Sequence, residues 1–544
     1  MKFVQNELNH YFCGNRSETT IKSTTMKKKY IFLLLLSAIF AYTFTQTFDS
    51  KLNLNGDNVH YMKLAENLAA GDGYSYNTPE GMMPASHYPP GYSAFLAIFM
   101  FLGINNIIFF KILNGILLLF GLIGLFYLME KQTDNLSLAF AATALALFCT
   151  KVLEFASMVM SEMFFFACSV VFFISLYQYA QKDAVCFFKS PWFYLSIIAA
   201  VAAYYTRTVG AALILALPVF FLFRKEWMPA LSSVAGSVLL ILPWSIRNAA
   251  HGIESRYLGT VMTVNPWRPE SGNISSVGEM LEKMIVNFDE TVIKGFKEIL
   301  FPFLEINYDK GSGFFSIIGG LLIVAIIFYG AWKMEKIKWP LIAYLAGQIG
   351  LFMLWHGGNG SRYVVPIAPF LFVGFYVGLY HLILLLWKKE HKLKPHFPYA
   401  FLVLIFLMHA PVEAQAEVAK RPHPPAYQNY FTIAKEMQKQ FPKNVICCCR
   451  KPELFTYYAS NIYAVNYKYA IDSNELLQDL IQKKVDYVVL EQLGYGSTVR
   501  YLYPAITANP ELFPVIWHLP NPDTYLLKFE REKAKEKLQG ENLQ

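Results

Sequence analysis

A polytopic α-helical membrane protein with a small C-terminal α/β domain outside the membrane is the fold class this sequence predicts. Three observations carry that expectation. Long apolar runs recur through the first three quarters of the 544 residues. Only 16% of the residues are charged, against about 25% in soluble proteins, and mean hydropathy is +0.33. Past Pro411 the composition turns soluble, with short strand and helix patterns alternating. The net charge of +8 does not point to nucleic acid, because the basic residues sit at the ends of apolar runs and do not cluster on one soluble face.

A bilayer core needs about 20 apolar residues per helix. By that measure spans are expected near 29–46, 105–128, 136–152, 158–179, 192–206, 208–223, 229–246, 313–332, 339–355, 363–387 and 398–411, about eleven in all. Residues 26–411 form the membrane domain, with external loops at 47–104 and 248–312; the apolar piece 90–103 follows Pro-Pro-Gly and reads as an interfacial helix. Lys27 to Lys29, Lys131, Lys182, Lys189, Arg224, Lys225, Lys333, Lys336, Lys338, Lys388, Lys389, Lys392 and Lys394 all fall on one side, which the positive-inside rule makes cytoplasmic. The N-terminus is then cytoplasmic and the C-terminal domain extracytoplasmic, in the inner (plasma) membrane. Residues 1–25 are polar and aperiodic, a disordered tail or a segment upstream of a start at Met26. No small-x-small cleavage site follows the first apolar run, so it stays as an anchor.

In the soluble domain, 412–530, helices are expected over Tyr427–Phe441, Pro452–Ala459 and Glu475–Lys484. Strands are expected over Val445–Cys449, Tyr463–Tyr467, Val485–Leu490, Phe513–His518 and Thr524–Phe529. Residues 531–544 read as a charged, solvated tail. The seven cysteines show no metal-binding spacing, and Cys447, Cys448 and Cys449 read as small buried hydrophobes in a strand.

The most informative stretch is Asn55 to Tyr92, directly after the first span. It holds Asn-Gly-Asp57-Asn-Val-His-Tyr61, then Gly71-Asp-Gly-Tyr74, then His87-Tyr-Pro-Pro-Gly-Tyr92. Asp57 and Tyr61 lie one turn apart on any helix starting here, and Val59, Met62, Ala65, Leu68 and Ala69 supply its apolar side. This arrangement resembles the first external loop of the GT-C glycosyltransferases, in particular the protein O-mannosyltransferases and lipid A aminoarabinose transferases. Those are polytopic enzymes that take a sugar from a polyprenyl-phosphate carrier. Their Asp-x-x-x-Tyr-x-x-x-Ala helix, Gly-x-Gly-Tyr and Pro-Pro-Gly-Tyr segments are matched by Asp57, Tyr61, Ala65, Gly71, Gly73, Tyr74, Pro89, Pro90, Gly91 and Tyr92. Where many relatives carry a second acid after the Asp, this chain has Asn58.

The resemblance implies a GT-C fold over residues 29–411 and an inverting transfer from a polyprenyl-phosphate sugar to a lipid, glycan or protein acceptor. A carboxylate at the membrane surface suits general-base work on an acceptor hydroxyl, which makes Asp57 the first catalytic candidate; its plain alternative is a helix cap. Glu162 opens a span in Ser161-Glu162-Met163 and is the second candidate, against a helix-dipole role. Arg207, Arg247 and Arg362 lie at outer ends of spans, against the positive-inside bias, and are expected to hold the donor phosphate, with lipid headgroups as the alternative. Tyr61, His87, Tyr88 and Tyr92 are substrate-binding candidates. His60, His87 and His356 show no metal spacing, and Asn58 breaks an acidic pair, so no metal or other cofactor is expected. Partners are the polyprenyl-phosphate donor, its acceptor and membrane lipids, with no nucleic acid. Rival readings are a lipid-linked sugar transporter or flippase, and a non-catalytic envelope assembly protein.

Overall fold

A chain in hydrocarbon must satisfy its backbone internally, and helices do this within one segment. The computed structural model describes residues 26–181, 186–253, 256–355, 360–387 and 393–541. The expectations for residues 1–25, Lys182, His356, Lys388, Lys389 and Lys392, and for the end of the tail at 542–544, lie outside those residues.

Among the described residues seven helical segments are long and apolar enough to cross a bilayer. They are α1 (Met26–Thr47), α4 (Ile107–Thr133), α7 (Glu162–Gln181), α10 (Trp227–Ala250), Phe314–Trp332, Gly360–Leu386 and the stretch within Lys394–Gln440. The other four expected spans differ. Residues 136–152 are a pair, α5 (Leu136–Ala146) and α6 (Thr150–Ala156), bent by 69°. α8 (Pro191–Thr206), α9 (Ala211–Phe223) and Lys338–Leu354 are helices of 16, 13 and 17 residues, shorter than a full crossing.

The first external loop holds α2 (Asp57–Ala70), α3 (Gly91–Phe101) and an unanticipated hairpin of β1 (Ser75–Thr78) and β2 (Gly81–Pro84). The Pro-Glu-Gly turn at 79–81 was a visible turn signal; the strands are too short and polar to be read from pattern. The two ends of the membrane domain are tied separately. At one end Lys29 pairs with Glu130 at 2.5 Å and Gln132 accepts from the Lys336 amide at 2.9 Å. At the other, Lys111 donates to the carbonyl of Asp49 at 2.6 Å, closing the turn that leads to Asp57.

The soluble domain is a five-stranded mixed sheet in the order β4 (Tyr463–Val465), β3 (Ile446–Cys448), β5 (Tyr487–Leu490), β7 (Thr524–Lys528), β6 (Val515–Leu519). β3 runs parallel to β4 and β5, and β7 antiparallel to β5 and β6. Cys447, Cys448 and Cys449 are free and fully buried. Two expectations are corrected. The boundary at 411 falls inside a helix, Leu404–Lys420, that continues through Pro411. The tail after Glu530 is helical over Arg531–Glu541, because Ala534 and Leu538, one turn apart, bury themselves in the domain core. Arg531 adds an ion pair to Asp486 at 2.5 Å.

Candidate active site

Asp57 is the first residue of α2, whose N-cap is Gly56 with no capping side chain. The capping alternative therefore does not describe it. Its Oδ1 accepts from the Tyr88 hydroxyl at 2.9 Å, and its Oδ2 is paired with the Arg362 guanidinium. Both Asp57 and Arg362 side chains keep 25% of their surface exposed. Burial raises the Asp57 carboxyl, but the Arg362 charge and hydrogen bond, the Tyr88 hydroxyl and the Lys451 charge outweigh it and hold it below its ordinary value of 3.8.

Each partner is delivered by its own element. Arg362 sits in the 3₁₀ turn Gly360–Ile367 that leads into Ala368–Leu386. Tyr88 is held by the Tyr74 hydroxyl, which donates to the Tyr88 carbonyl at 3.0 Å. Gly56 has φ +90, and a Cβ there would lie 2.1 Å from Glu453 Oε1, so only glycine lets the helix start under the soluble domain.

The second carboxylate joins the same rim. Glu162 opens α7 with no exposed surface, and Arg207, at the break between α8 and α9, donates to it at 2.6 Å. The same Arg207 nitrogen donates to Ser161 Oγ at 3.1 Å, and Ser161 lies 3.2 Å from the Tyr61 hydroxyl. Tyr61 packs its ring 4.9 Å from Tyr88. A continuous path, Asp57–Tyr88–Tyr61–Ser161–Arg207–Glu162, thus links the two acid–arginine pairs. Gly91 permits it: a Cβ there would meet the Tyr205 carbonyl at 2.7 Å, so α3 starts hard against the end of α8 beside Arg207.

Three candidates are placed elsewhere. Arg247 does not reach the carboxylates. Its guanidinium donates to the Ala85 carbonyl at 2.6 Å, the Tyr74 carbonyl at 2.7 Å and Asn248 Oδ1 at 2.8 Å, clamping the first external loop. Tyr92 is fully buried, and its hydroxyl donates to Asn114 Oδ1 at 3.1 Å, so it offers no surface to a substrate. His87 is exposed, with its ring edge-on to Tyr88 at 4.6 Å.

Sequence reasoning missed Asn114, Ser161 and Lys451. The Asn114 amide donates to the carbonyls of Met158 and, at 2.9 Å, Met160, holding the loop that presents Ser161 and Glu162. An amide in the middle of an apolar span was the available signal. Lys451, from the soluble domain, donates to the Asn55 carbonyl at 2.6 Å, and nothing local marked it.

The rim carries unspent polar capacity. Among the described residues, Glu162 Oε2, Arg362 Nε and both amide atoms of Asn58 are buried without a hydrogen-bond partner. Native structures hold few such atoms, and they are costly unless a ligand or water engages them. Among the described residues no group of three or more His, Cys, Asp or Glu side chains is placed to hold a metal ion; the two acids at the rim are each taken by an arginine.

No family model matches the chain, and no curated protein matches its sequence. Its fold does match solved structures. The oligosaccharyltransferase of Archaeoglobus fulgidus, tethered with an acceptor peptide, superposes with TM-score 0.58 at 11% identity, over 93% of this chain and 74% of that one. ArnT from Cupriavidus metallidurans, bound to undecaprenyl phosphate, superposes with TM-score 0.54 at 14% identity, over 91% and 97%. The chain has the GT-C fold. Asp57 stands on the first-loop helix, Arg362 lies in the turn that opens a late membrane helix, and the two are in contact.

Proposed function

We propose that this protein is an inverting GT-C glycosyltransferase, moving a sugar from a polyprenyl-phosphate donor to an acceptor hydroxyl on the extracytoplasmic face. The observation that carries the reading is the Asp57–Arg362 contact at the rim of this fold, a base and a phosphate-binding cation side by side. The A. fulgidus protein AglB was solved with a dolichol-phosphate and the C. metallidurans protein with undecaprenyl phosphate; both ligands are isoprenoid phosphates, which supports that donor class.

The acceptor oxygen attacks the anomeric carbon while its proton passes to an Asp57 carboxylate oxygen. The bond from the anomeric carbon to the phosphate oxygen breaks, and the carrier phosphate leaves with the electron pair. Attack from the face opposite the phosphate inverts the anomeric centre. Guanidinium groups stabilise the developing dianion better than the substrate's monoanion, which is where catalysis is gained.

A carboxylate held low by Arg362 is a weak base. Arg362 keeps a free Nε donor beside the nitrogen that pairs with Asp57. A bound phosphate competes for the guanidinium and loosens its hold on Asp57; the half-buried carboxyl then becomes more basic when the donor is in place. Arg207, oriented by Glu162 and Ser161, supplies the second cation. Arg247 shapes the loop over the site. No divalent ion takes part in this scheme. The deciding experiment is transfer from an undecaprenyl-phosphate-linked sugar by Asp57→Asn in reconstituted membranes: expression and donor binding stay, and transfer is lost. Transfer within about tenfold of wild type would remove Asp57 as the base, and no transfer by the wild type would remove the reading.

A further inference from the structure

The soluble domain has a cluster of a cation and aromatic rings that the transfer chemistry does not use. β3 crosses to β4 on one side through the helix Pro452–Tyr458, while the chain leaving β5 runs the other way towards β6 and β7. The carboxyl ends of β3 and β5 are therefore a topological switch point, where loops diverge and open α/β sheets leave room for ligands.

What stands there is specific. Arg450, one residue beyond the end of the buried run Cys447–Cys449, has its guanidinium 4.5 Å from the Tyr495 ring and 5.8 Å from the Tyr469 ring. Its Nε is buried with no hydrogen-bond partner. Glu491, at the end of β5, feels the Arg450 charge without a direct ion pair to it among the described residues: its oxygens accept from the Leu493 amide at 2.5 Å and from the Thr498 hydroxyl, which fixes the loop. Tyr469 stacks on Tyr501 at 5.3 Å, and the Tyr495 hydroxyl meets that of Tyr427 at 3.2 Å.

The cation is also held in place. The fully buried Tyr430 donates to the carbonyls of Arg450 at 2.6 Å and Lys451 at 3.1 Å. Lys451 takes φ 60, a conformation few non-glycine residues adopt, and its ammonium reaches the Asn55 carbonyl two residues before Asp57. The second external loop closes the flank, with Glu270 paired to Arg500 at 2.7 Å and accepting from Tyr501 at 2.9 Å. An arginine with unspent donors between aromatic faces, beside the helix of the proposed base, is suited to a ring that carries an anion.

We propose that this cluster binds the acceptor: Arg450 takes a phosphate or carboxylate on an acceptor glycan, and Tyr495 lies against the sugar that carries it. The assignment of the ligand as acceptor rests on the transferase reading above; the binding itself does not.

The test uses full-length protein in lipid nanodiscs, titrated calorimetrically with N-acetylglucosamine 6-phosphate, whose phosphate is not on the anomeric carbon, and in parallel with inorganic phosphate and with N-acetylglucosamine. The sugar phosphate should bind more tightly than either half alone. Arg450→Gln should weaken it about tenfold or more, Arg450→Lys should recover part of that loss, and Tyr495→Ala should weaken it without a change of charge. With a turnover assay, Arg450→Gln should raise the acceptor KM and leave the donor KM alone. Binding that is undiminished in Arg450→Gln and Tyr495→Ala, or that inorganic phosphate reproduces in full, would overturn the proposal. If Arg450→Gln fails to fold, Arg450→Lys and Tyr495→Ala decide it. Because calorimetry needs no turnover, a wild-type protein that transfers no sugar would sink the transferase reading and leave this binding result separately legible.

Discussion

The two acid–arginine pairs at this end of the membrane helices use the same chemistry and differ in burial. Asp57 and Arg362 each keep a quarter of their surface, whereas Glu162 has none and Arg207 keeps 16%. An exposed pair can separate when a ligand competes for one partner, at small cost to the fold. A buried pair cannot, because separation leaves a charge in a low dielectric. In the proposed scheme exchange with substrate falls to Asp57–Arg362, and orientation of the Ser161 loop and Arg207 to Glu162.

The largest effect that would break this comparison is at Asp57. Asp57→Asn should lower the transfer rate by about 10²–10⁴-fold with little change in melting temperature, measured on purified protein. An equal loss from folding instability would put Asp57 in the same structural class as Glu162. Conversely, Glu162→Gln should act first on the fold. It leaves Arg207 uncompensated, and a broken buried pair costs about 3–5 kcal/mol, so the melting temperature should fall well before donor affinity does. A Glu162→Gln protein with wild-type stability and no turnover would instead make Glu162 a participant in the chemistry.

A subtler prediction concerns pH. Asp57 titrates below 3.8 in the folded, unliganded protein, so its stabilisation is complete above the unfolded value and is lost as pH falls through the lower folded one. In the free enzyme kcat/KM should therefore show no Asp57 limb near neutrality. If phosphate draws Arg362 away, the acid limb of kcat should lie at higher pH than that of kcat/KM, since kcat reports the loaded enzyme. Arg362→Gln should move the kcat/KM limb up as well. Coincident limbs in wild type would show that Arg362 stays on the carboxylate. The smallest expected effect is that of chelation: EDTA should leave transfer unchanged, and activity that dies in EDTA and returns with Mg²⁺ or Mn²⁺ would make Asp57 and Glu162 candidate ligands.

Most elements were legible because their signals are local. Apolar runs located the membrane helices, and β-branched runs located β5 and the flanking strands. The Gly-Asp57 junction marked the start of α2. Lengths were less legible: 136–152 reads as one apolar run, yet the chain bends by 69° within it, and the carbonyls freed nearby at Met158 and Met160 are met by Asn114 from another helix. The tail helix was missed because its charges dominate its composition while only Ala534 and Leu538 pack.

In the site, the sequence by itself determined that acids and arginines would stand at outer helix ends, since a charge in hydrocarbon is costly and the rim is where it can be solvated or paired. It also determined the tyrosines and glycines that let α2 and α3 pack closely. Which acid meets which arginine was decided only by tertiary structure. Asp57 and Arg362 are 305 positions apart, Glu162 and Arg207 are 45 apart, and Lys451 reaches Asn55 across 396. Arg247 carries the same kind of motif as the other two, yet it lands on the carbonyls of Tyr74 and Ala85. Helix propensity and hydropathy act over a few residues, whereas these pairings follow from how whole helices and the soluble domain pack, and no local pattern encodes that distance.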